Sequence, residues 1–472
     1  MADMPNLIAT LALYSWPIVA YLISKNRKPH EAAILLILVP YMVLPVGIGI
    51  SLPVIPSIDK NMLAAMSAFV ILTVTRKTNA AYRDNVVLVL FVLLFTSPFF
   101  TWFTNTDRLV FGFGSLVKPG LTAGYVFQAF FYLVPIIFVP FVIGARYLNT
   151  NESHEALVRF LVIAGLVYSV AAVWEVRMSP QLHSKIYGYF PSDFRQQIRE
   201  GGYRPVIFMG HGLYVAVFLA ASAIASLLIF KTKKFFKTGN LARFQKLVPP
   251  YLMFVVVLCK TWSALIYCFL AVGVVFLFKR NGILKIALLI ALFVFFYPTL
   301  RGAGMVPTKD IIANIAEINY ERSASLRVRF ENEDRLLARG NERPFFGWGG
   351  SGRSRVRDEL TGDDISITDG TWILVFGIYG WYGYIAVFGL LSYPIWRLFK
   401  QLKTPHEKNL HVNTAVIALL LSLNMLDLLP NSSISPLTFL LAGAILGRSL
   451  NLHRETTAGQ MLKSNSGAPL NR

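Results

Sequence analysis

Apolar stretches long enough to cross a bilayer recur from one end of this chain to the other, and nothing constrains its fold more. A crossing helix needs about 20 mostly apolar residues, because hydrocarbon tolerates no unpaired backbone group. Such stretches fall near 7–23, 31–52, 60–75, 86–104, 124–144, 157–175, 207–229, 247–259, 262–278, 284–300, 371–398, 412–429 and 434–448. Those at 247–259, 262–278 and 434–448 are short, so the expected count is about 13 within a range of 12–14. Only 15% of the 472 residues are charged and 55% are hydrophobic, whereas soluble domains carry about 25% charged residues. That excludes a water-soluble fold, a disordered chain and a collagen-like chain. Cys259 and Cys268 both sit in apolar stretches without metal-ligand spacing, which excludes a disulfide scaffold and a zinc cluster. The expected fold is an all-α polytopic membrane protein. Its integral-membrane domain spans 1–448 and a disordered cytoplasmic tail follows at 449–472. The first stretch lacks a basic n-region and a small-residue cleavage site, so it reads as a span rather than a cleaved signal.

The net charge of +20 is an orientation signal. Lysine and arginine concentrate in every second connection: Lys25, Arg27 and Lys28; Arg76, Lys77 and Arg83; Arg146; then Lys231, Lys233, Lys234, Lys237, Arg243 and Lys246. The alternation continues through Lys279, Arg280 and Lys285, then Arg397, Lys400, Lys403 and Lys408, and ends with Arg448 and Arg454. Short basic loops stay in the cytoplasm, which puts the N-terminus outside and the C-terminus inside. The basic loops suit anionic lipid, and nothing supports nucleic acid as a partner.

Three outward segments exceed a turn: 105–123, 176–206 and 301–370. The last is the one large, partly helical periplasmic loop. It holds ten arginines and one lysine against twelve acids. Arginine's planar fork suits carboxylate and phosphate. The bland alternative is a salt-bridged helix over 321–340, with Leu326, Phe330 and Leu337 at helical spacing. Arg329–Glu333 and Glu331–Arg335 would be its i,i+4 pairs. Arg327 shares Glu331 with Arg335, which leaves part of its charge for a ligand. Arg204 precedes Pro205 and a long apolar helix, a place equally suited to lipid phosphate or a bound anion. A glycine-rich run, Gly347 to Gly352, leads to Arg353, Arg355 and Arg357 but has no phosphate-loop lysine after it. Asp369 reads as the cap of the stretch from Thr371, which Gly377, Gly380 and Gly383 then interrupt. Glu175, His211, Asn424 and Asp427 place polar chemistry on the outer half, and Lys260 stands alone near the midplane.

Arg204 to His211 (RPVIFMGH), Arg327 to Gly349 ending in RPFFGWG, and Thr368 to Ile373 (TDGTWI) resemble the O-antigen ligase/polymerase superfamily. The resemblance implies a many-helix bundle with a large outward loop over a cavity. It implies inverting transfer of undecaprenyl-pyrophosphate-linked glycans without nucleotide sugar, cofactor or metal. Arg204 and Arg327 match the family's pyrophosphate arginines, and Arg329 and Arg353 join them as candidates. Asp369 falls where ligases carry a histidine followed by asparagine. The pair Asp369–Gly370 departs from that pattern towards a Wzy-type polysaccharide polymerase of the bacterial inner membrane. Asp369 is then the candidate base, with His211 behind it. Asp363, Asp364 and Asp369 are close enough in sequence to leave a divalent ion open. The partners implied are lipid-linked oligosaccharide as donor and acceptor, membrane lipid, a chain-length regulator and a flippase. An O-antigen ligase, a polysaccharide transporter and a peptidoglycan polymerase of the elongation-division type remain as alternatives. A transporter would show internal repeats and midplane charge, and neither is evident here.

Overall fold

The computed structural model describes residues 4–52, 55–75, 84–114, 116–199, 201–232, 235–236, 240–403 and 405–466. Arg76, Lys77, Arg83, Lys233, Lys234 and Lys237 of the expected basic loops, and 467–472 of the expected tail, lie outside the described residues. The chain is mostly helical. Among the described residues, seven helices are long and apolar enough to cross a membrane: Leu7–Ser24, Asn85–Phe103, Ala123–Tyr147, Asn151–Met178, Gly212–Lys231, Arg280–Gly302 and Thr371–Lys403. Five shorter apolar helices accompany them: Pro29–Val43, Lys60–Thr75, Trp262–Leu277, Val412–Asp427 and Pro436–Leu452. Val248–Leu258 is shorter again. Large apolar side chains such as Val74, Phe269 and Leu277 stay exposed on these helices, as lipid-facing side chains would. The last helix carries its backbone on to Ser466.

Two expected stretches depart from plain α-helix for local reasons. The stretch 31–52 stops being helical at Val43, because Leu44 precedes Pro45 and leaves the α region. Residues Gly49–Leu52 and Ile55–Asp59 then pair as a hairpin. Inside Ala123–Tyr147, Pro135 removes a ladder donor and the helix widens to a π turn over Val134–Phe138. Where Pro436–Ser466 crosses Val139–Tyr147 the backbones nearly touch. A Cβ on Gly443 would sit 2.0 Å from the Phe141 carbonyl oxygen. Such contacts between small residues replace the hydrophobic drive that lipid cannot supply.

The connections sort to two ends of the bundle. At one end Lys28 pairs with Glu152, and Asn151 donates to the Asn409 carbonyl. Arg280 donates to the Leu410 carbonyl and Arg448 to that of Asn409. At the other end Asp107 pairs with Arg343, Tyr214 donates to the Ser432 carbonyl, and Arg329 donates to that of Pro430. Lys260 belongs to this second end, donating to the Arg199 carbonyl at 3.1 Å. Its expected place near the midplane is thereby corrected.

The 301–370 segment forms two helices, Thr308–Ile318 and Tyr320–Asn341, followed by a turn-rich stretch to Gly370. That stretch locks onto a break in the helix Thr371–Lys400. Gly380 has φ +64° and ψ −163°, outside the helical region. Trp381 N–H donates to the Pro344 carbonyl at 2.8 Å and Tyr382 N–H to that of Phe345 at 3.1 Å. In return, Trp348 and Gly349 N–H groups donate to the carbonyls of Gly377 and Ile378. The break is thus satisfied by protein backbone, as a break inside an apolar helix requires.

Candidate functional site

Arg204 and His211 sit in a turn that Glu175 organises. The Glu175 carboxylate accepts from the N–H groups of Leu182, Val206 and Ile207 at 2.7–2.8 Å. This forces Ile207 to φ +48° and delays the helix to Gly212. Arg204 therefore does not open the helix as its sequence position suggested. Its Nη2 lies 3.5 Å from the Lys260 carbonyl oxygen. His211 caps the helix: Nδ1 accepts from Leu213 N–H at 3.1 Å, and Nε2 faces Gln196 Oε1 at 3.4 Å. These partners assign the proton to Nε2, so the lone pair a base would use is already engaged.

Arg353 is 1% exposed and points inward. Its guanidinium donates to the carbonyls of Trp348, Asp107 and Pro119 and lies 3.4 Å from Asp107 Oδ1. Arg343 grips the same carboxylate through both Nη atoms. Hydrogen bonding from Arg343 holds Asp107 below the ordinary carboxylate range, despite some opposing burial. Together the two arginines pin segment 105–123 to the glycine-rich turn. Arg327 is exposed and makes no hydrogen bond or ion pair among the described residues.

Arg329 and Asp369 do come together. Arg329 Nε lies 3.7 Å from Asp369 Oδ2, and Nη1 donates to the Pro430 carbonyl at 3.2 Å. The expected pair Arg329–Glu333 is not formed, and neither is Glu331–Arg335. Glu333 turns inward, accepting from Tyr297 Oη at 3.1 Å and from Trp372 Nε1 at 3.4 Å. Arg301 Nε stands 3.5 Å away and its Nη2 pairs with Asp334 at 2.7 Å. Burial raises the Glu333 pKa above the usual carboxylate value, outweighing these partners. Asp369 is not the helix cap either. Gly370 holds the capping position, and no side chain caps the helix. Thr371 and Trp372 N–H groups go instead to the carbonyls of Asn431 and Leu428. Asn332 Oδ1 accepts from Ile367 N–H at 2.8 Å and fixes the approach to Asp369.

Arg329, Glu333 and Asp369 line a solvent-connected cavity of about 220 Å³, walled by Leu326, Phe330, Ile373 and Leu429. One half-exposed carboxylate, one cation and one largely buried carboxylate of raised pKa face a mostly apolar wall. Such a set can take a proton from a hydroxyl and balance negative charge beside it. On the other flank of the loop Leu428–Ser435, Tyr214 binds Ser432 and packs edge-on to His211. That contact chain is the route by which the Arg204 turn adjoins the cavity. Asp364 is taken by Arg355 and Ser366. No three metal-ligating side chains converge among the described residues. Glu333, Arg301, Tyr297 and Asn332 were missed as site residues. The only signal for them was the i,i+4 pattern, which pointed Glu333 at the wrong arginine. No family model matches this chain, and no curated protein matches it.

Proposed function

We propose that this chain is an integral-membrane glycosyltransferase of the bacterial inner membrane, a polymerase of undecaprenyl-pyrophosphate-linked oligosaccharide repeats for O-antigen or exopolysaccharide. The thirteen apolar stretches all cross, with the N-terminus periplasmic and the C-terminus cytoplasmic. The sorting of basic and arginine-rich connections to opposite ends supports that orientation. The observation that carries the activity is the Asp369–Arg329 pair: a carboxylate left uncapped, 3.7 Å from a guanidinium, at the mouth of a cavity.

In the proposed reaction an acceptor sugar hydroxyl attacks the anomeric carbon of the donor glycan from the face opposite the pyrophosphate. The new C–O bond forms as the bond to pyrophosphate breaks, and the leaving group takes the electron pair. The hydroxyl proton passes to Asp369. Arg329, with Arg327 exposed on the same helix and Arg204 across the Leu428–Ser435 loop, balances the pyrophosphate charge. Each charge-assisted hydrogen bond contributes about 1.5–3 kcal/mol, and a preorganised, dry setting raises its effect on the barrier. Arg353 acts one step back, by holding the loop. The test uses purified chain in proteoliposomes with the lipid-linked oligosaccharide pool extracted from cells lacking it. A ladder of longer glycans on undecaprenyl pyrophosphate is expected. Product that appears only on added lipid A-core would make the chain a ligase, and no transfer in either format would refute the reading.

A further inference from the structure

The far half of helix Tyr320–Asn341 leaves the Asp369 cavity and walls an open groove of about 780 Å³. Its other wall is Arg355–Glu359, and its rim is the hairpin pairing Leu109–Phe111 with Leu116–Lys118. Arg335, Arg339, Arg355 and Arg357 line it against only Glu342 and Glu359. Two of the four guanidiniums are matched, Arg339 by Glu342 and Arg355 by Asp364, each at 2.6 Å. Arg335 is exposed and makes no ion pair or hydrogen bond among the described residues. Arg357 Nη1 donates to the Gly362 carbonyl, while its Nε is buried without a partner. Its guanidinium lies 5.7 Å from the ring centre of Phe111. At the hairpin tip Phe113 is 90% exposed. The groove therefore carries surplus positive charge beside one bare aromatic ring, that of Phe113.

That combination fits a sugar bearing a carboxylate. The apolar face of a pyranose packs on an aromatic ring, and the carboxylate meets the guanidinium fork. The groove's volume lies within the roughly 300–1,000 Å³ range of ligand pockets, and its open side lets a sugar that belongs to a longer chain lie in it. From Arg329 to Arg339 the helix rises about 15 Å, so a glycan leaving the cavity meets the groove within a short length.

We infer that the groove holds the growing glycan beyond the transfer site, and that this glycan is acidic, with carboxylates on its repeat. The inference rests on the polymerase reading for the presence of a glycan. Its test is binding, read without turnover. Full-length chain in phosphatidylcholine nanodiscs is titrated with oligogalacturonate and with neutral maltohexaose. Oligogalacturonate should bind at least about tenfold more tightly, the ratio that one charge-assisted bond gives, and more weakly as salt rises. Arg335→Gln, which breaks no bond in the fold, should weaken it about tenfold, and adding Arg357→Gln should weaken it further. Equal binding of the two sugars, or an Arg335→Gln variant that binds like wild type, would overturn the inference. Loss of binding when phosphatidylglycerol replaces phosphatidylcholine would give the groove to lipid headgroups and overturn it too. Asp369→Asn should still bind oligogalacturonate. A wild type that binds the acidic sugar yet transfers nothing would refute the polymerase reading alone.

Discussion

Asp369 keeps a carboxylate available because Gly370 stands between it and the helix, and because the first two helical N–H groups find carbonyls on the Leu428–Ser435 loop. Arg329 is held by the same loop through Pro430. Arg329→Lys keeps the charge but cannot hold the carbonyl and the substrate anion with one fork. Transfer should fall at least about tenfold at unchanged protein yield, by the loss of one charge-assisted bond. For His211 the cap and base roles part cleanly. Asn caps well, so His211→Asn should transfer at near the wild-type rate, while His211→Ala should lose about 0.5–2 kcal/mol of stability. A fall of about 10²–10⁴-fold in the Asn variant would restore His211 as a base. Glu333 makes a pH statement. A carboxyl whose pKa is raised by the fold stabilises it below the unfolded pKa, and that contribution disappears as pH rises through the folded value. Glu333→Gln removes the titration and leaves Arg301 its Asp334 partner. The variant should melt above wild type at about pH 8 and level with it near pH 4; a gap independent of pH would contradict the buried-carboxyl account. The sequence showed Arg329 and Asp369 as candidates but not as partners. Periodicity assigns Arg329 to Glu333, four residues away on the same helix. Only the tertiary fold brings Pro430 and Tyr297 close enough to draw the two apart.

At the scale of elements, the broken helix and the glycine-rich turn specify each other. A Cβ on Gly380 would sit 2.4 Å from the Phe345 carbonyl carbon, and one on Gly347 would sit 2.5 Å from backbone atoms of Ile378. Both residues also have positive φ, where a side chain adds strain. Gly380→Ala should lower the melting temperature in detergent sharply and reduce yield. Gly273→Ala, in the helix Trp262–Leu277 with open space around its position, should be neutral or gain up to about 1 kcal/mol. Equal effects from the two would argue against the interlocked break. Glycine spacing in the sequence announced the interruption at Gly377, Gly380 and Gly383 but not which one carries it. That choice depends on which carbonyls of the preceding turn lie opposite. The start of the helix after Arg204 was misplaced for a related reason. Glu175 captures the N–H groups of Val206 and Ile207, a contact 31 and 32 residues away that no local pattern reveals.

Across the whole molecule, hydropathy made the helical bundle legible, since each apolar stretch overlaps a helix, although 31–52 gives way to a hairpin after Val43. Impermeant thiol reagents test the sidedness. Cysteine at Ser351 or Arg195 should react from the periplasm, and cysteine at Asn26 or Lys408 only after permeabilisation. All four positions are exposed, and native Cys259 and Cys268 are buried. Reversed labelling would invert the orientation and put the cavity in the cytoplasm. The site was less legible than the bundle because its polar groups come from four separate segments, around Tyr297, Arg329, Asp369 and Pro430. Sequence order keeps those segments apart, and only the closed bundle joins them. The most direct measurement of the central claim is single-turnover chain growth by Asp369→Asn in proteoliposomes, with melting temperature and yield matched to wild type. An amide cannot take the acceptor's proton, so the rate should fall by about 10²–10⁴-fold. An Asp369→Asn variant that extends chains at the wild-type rate would show that this carboxylate is not the base.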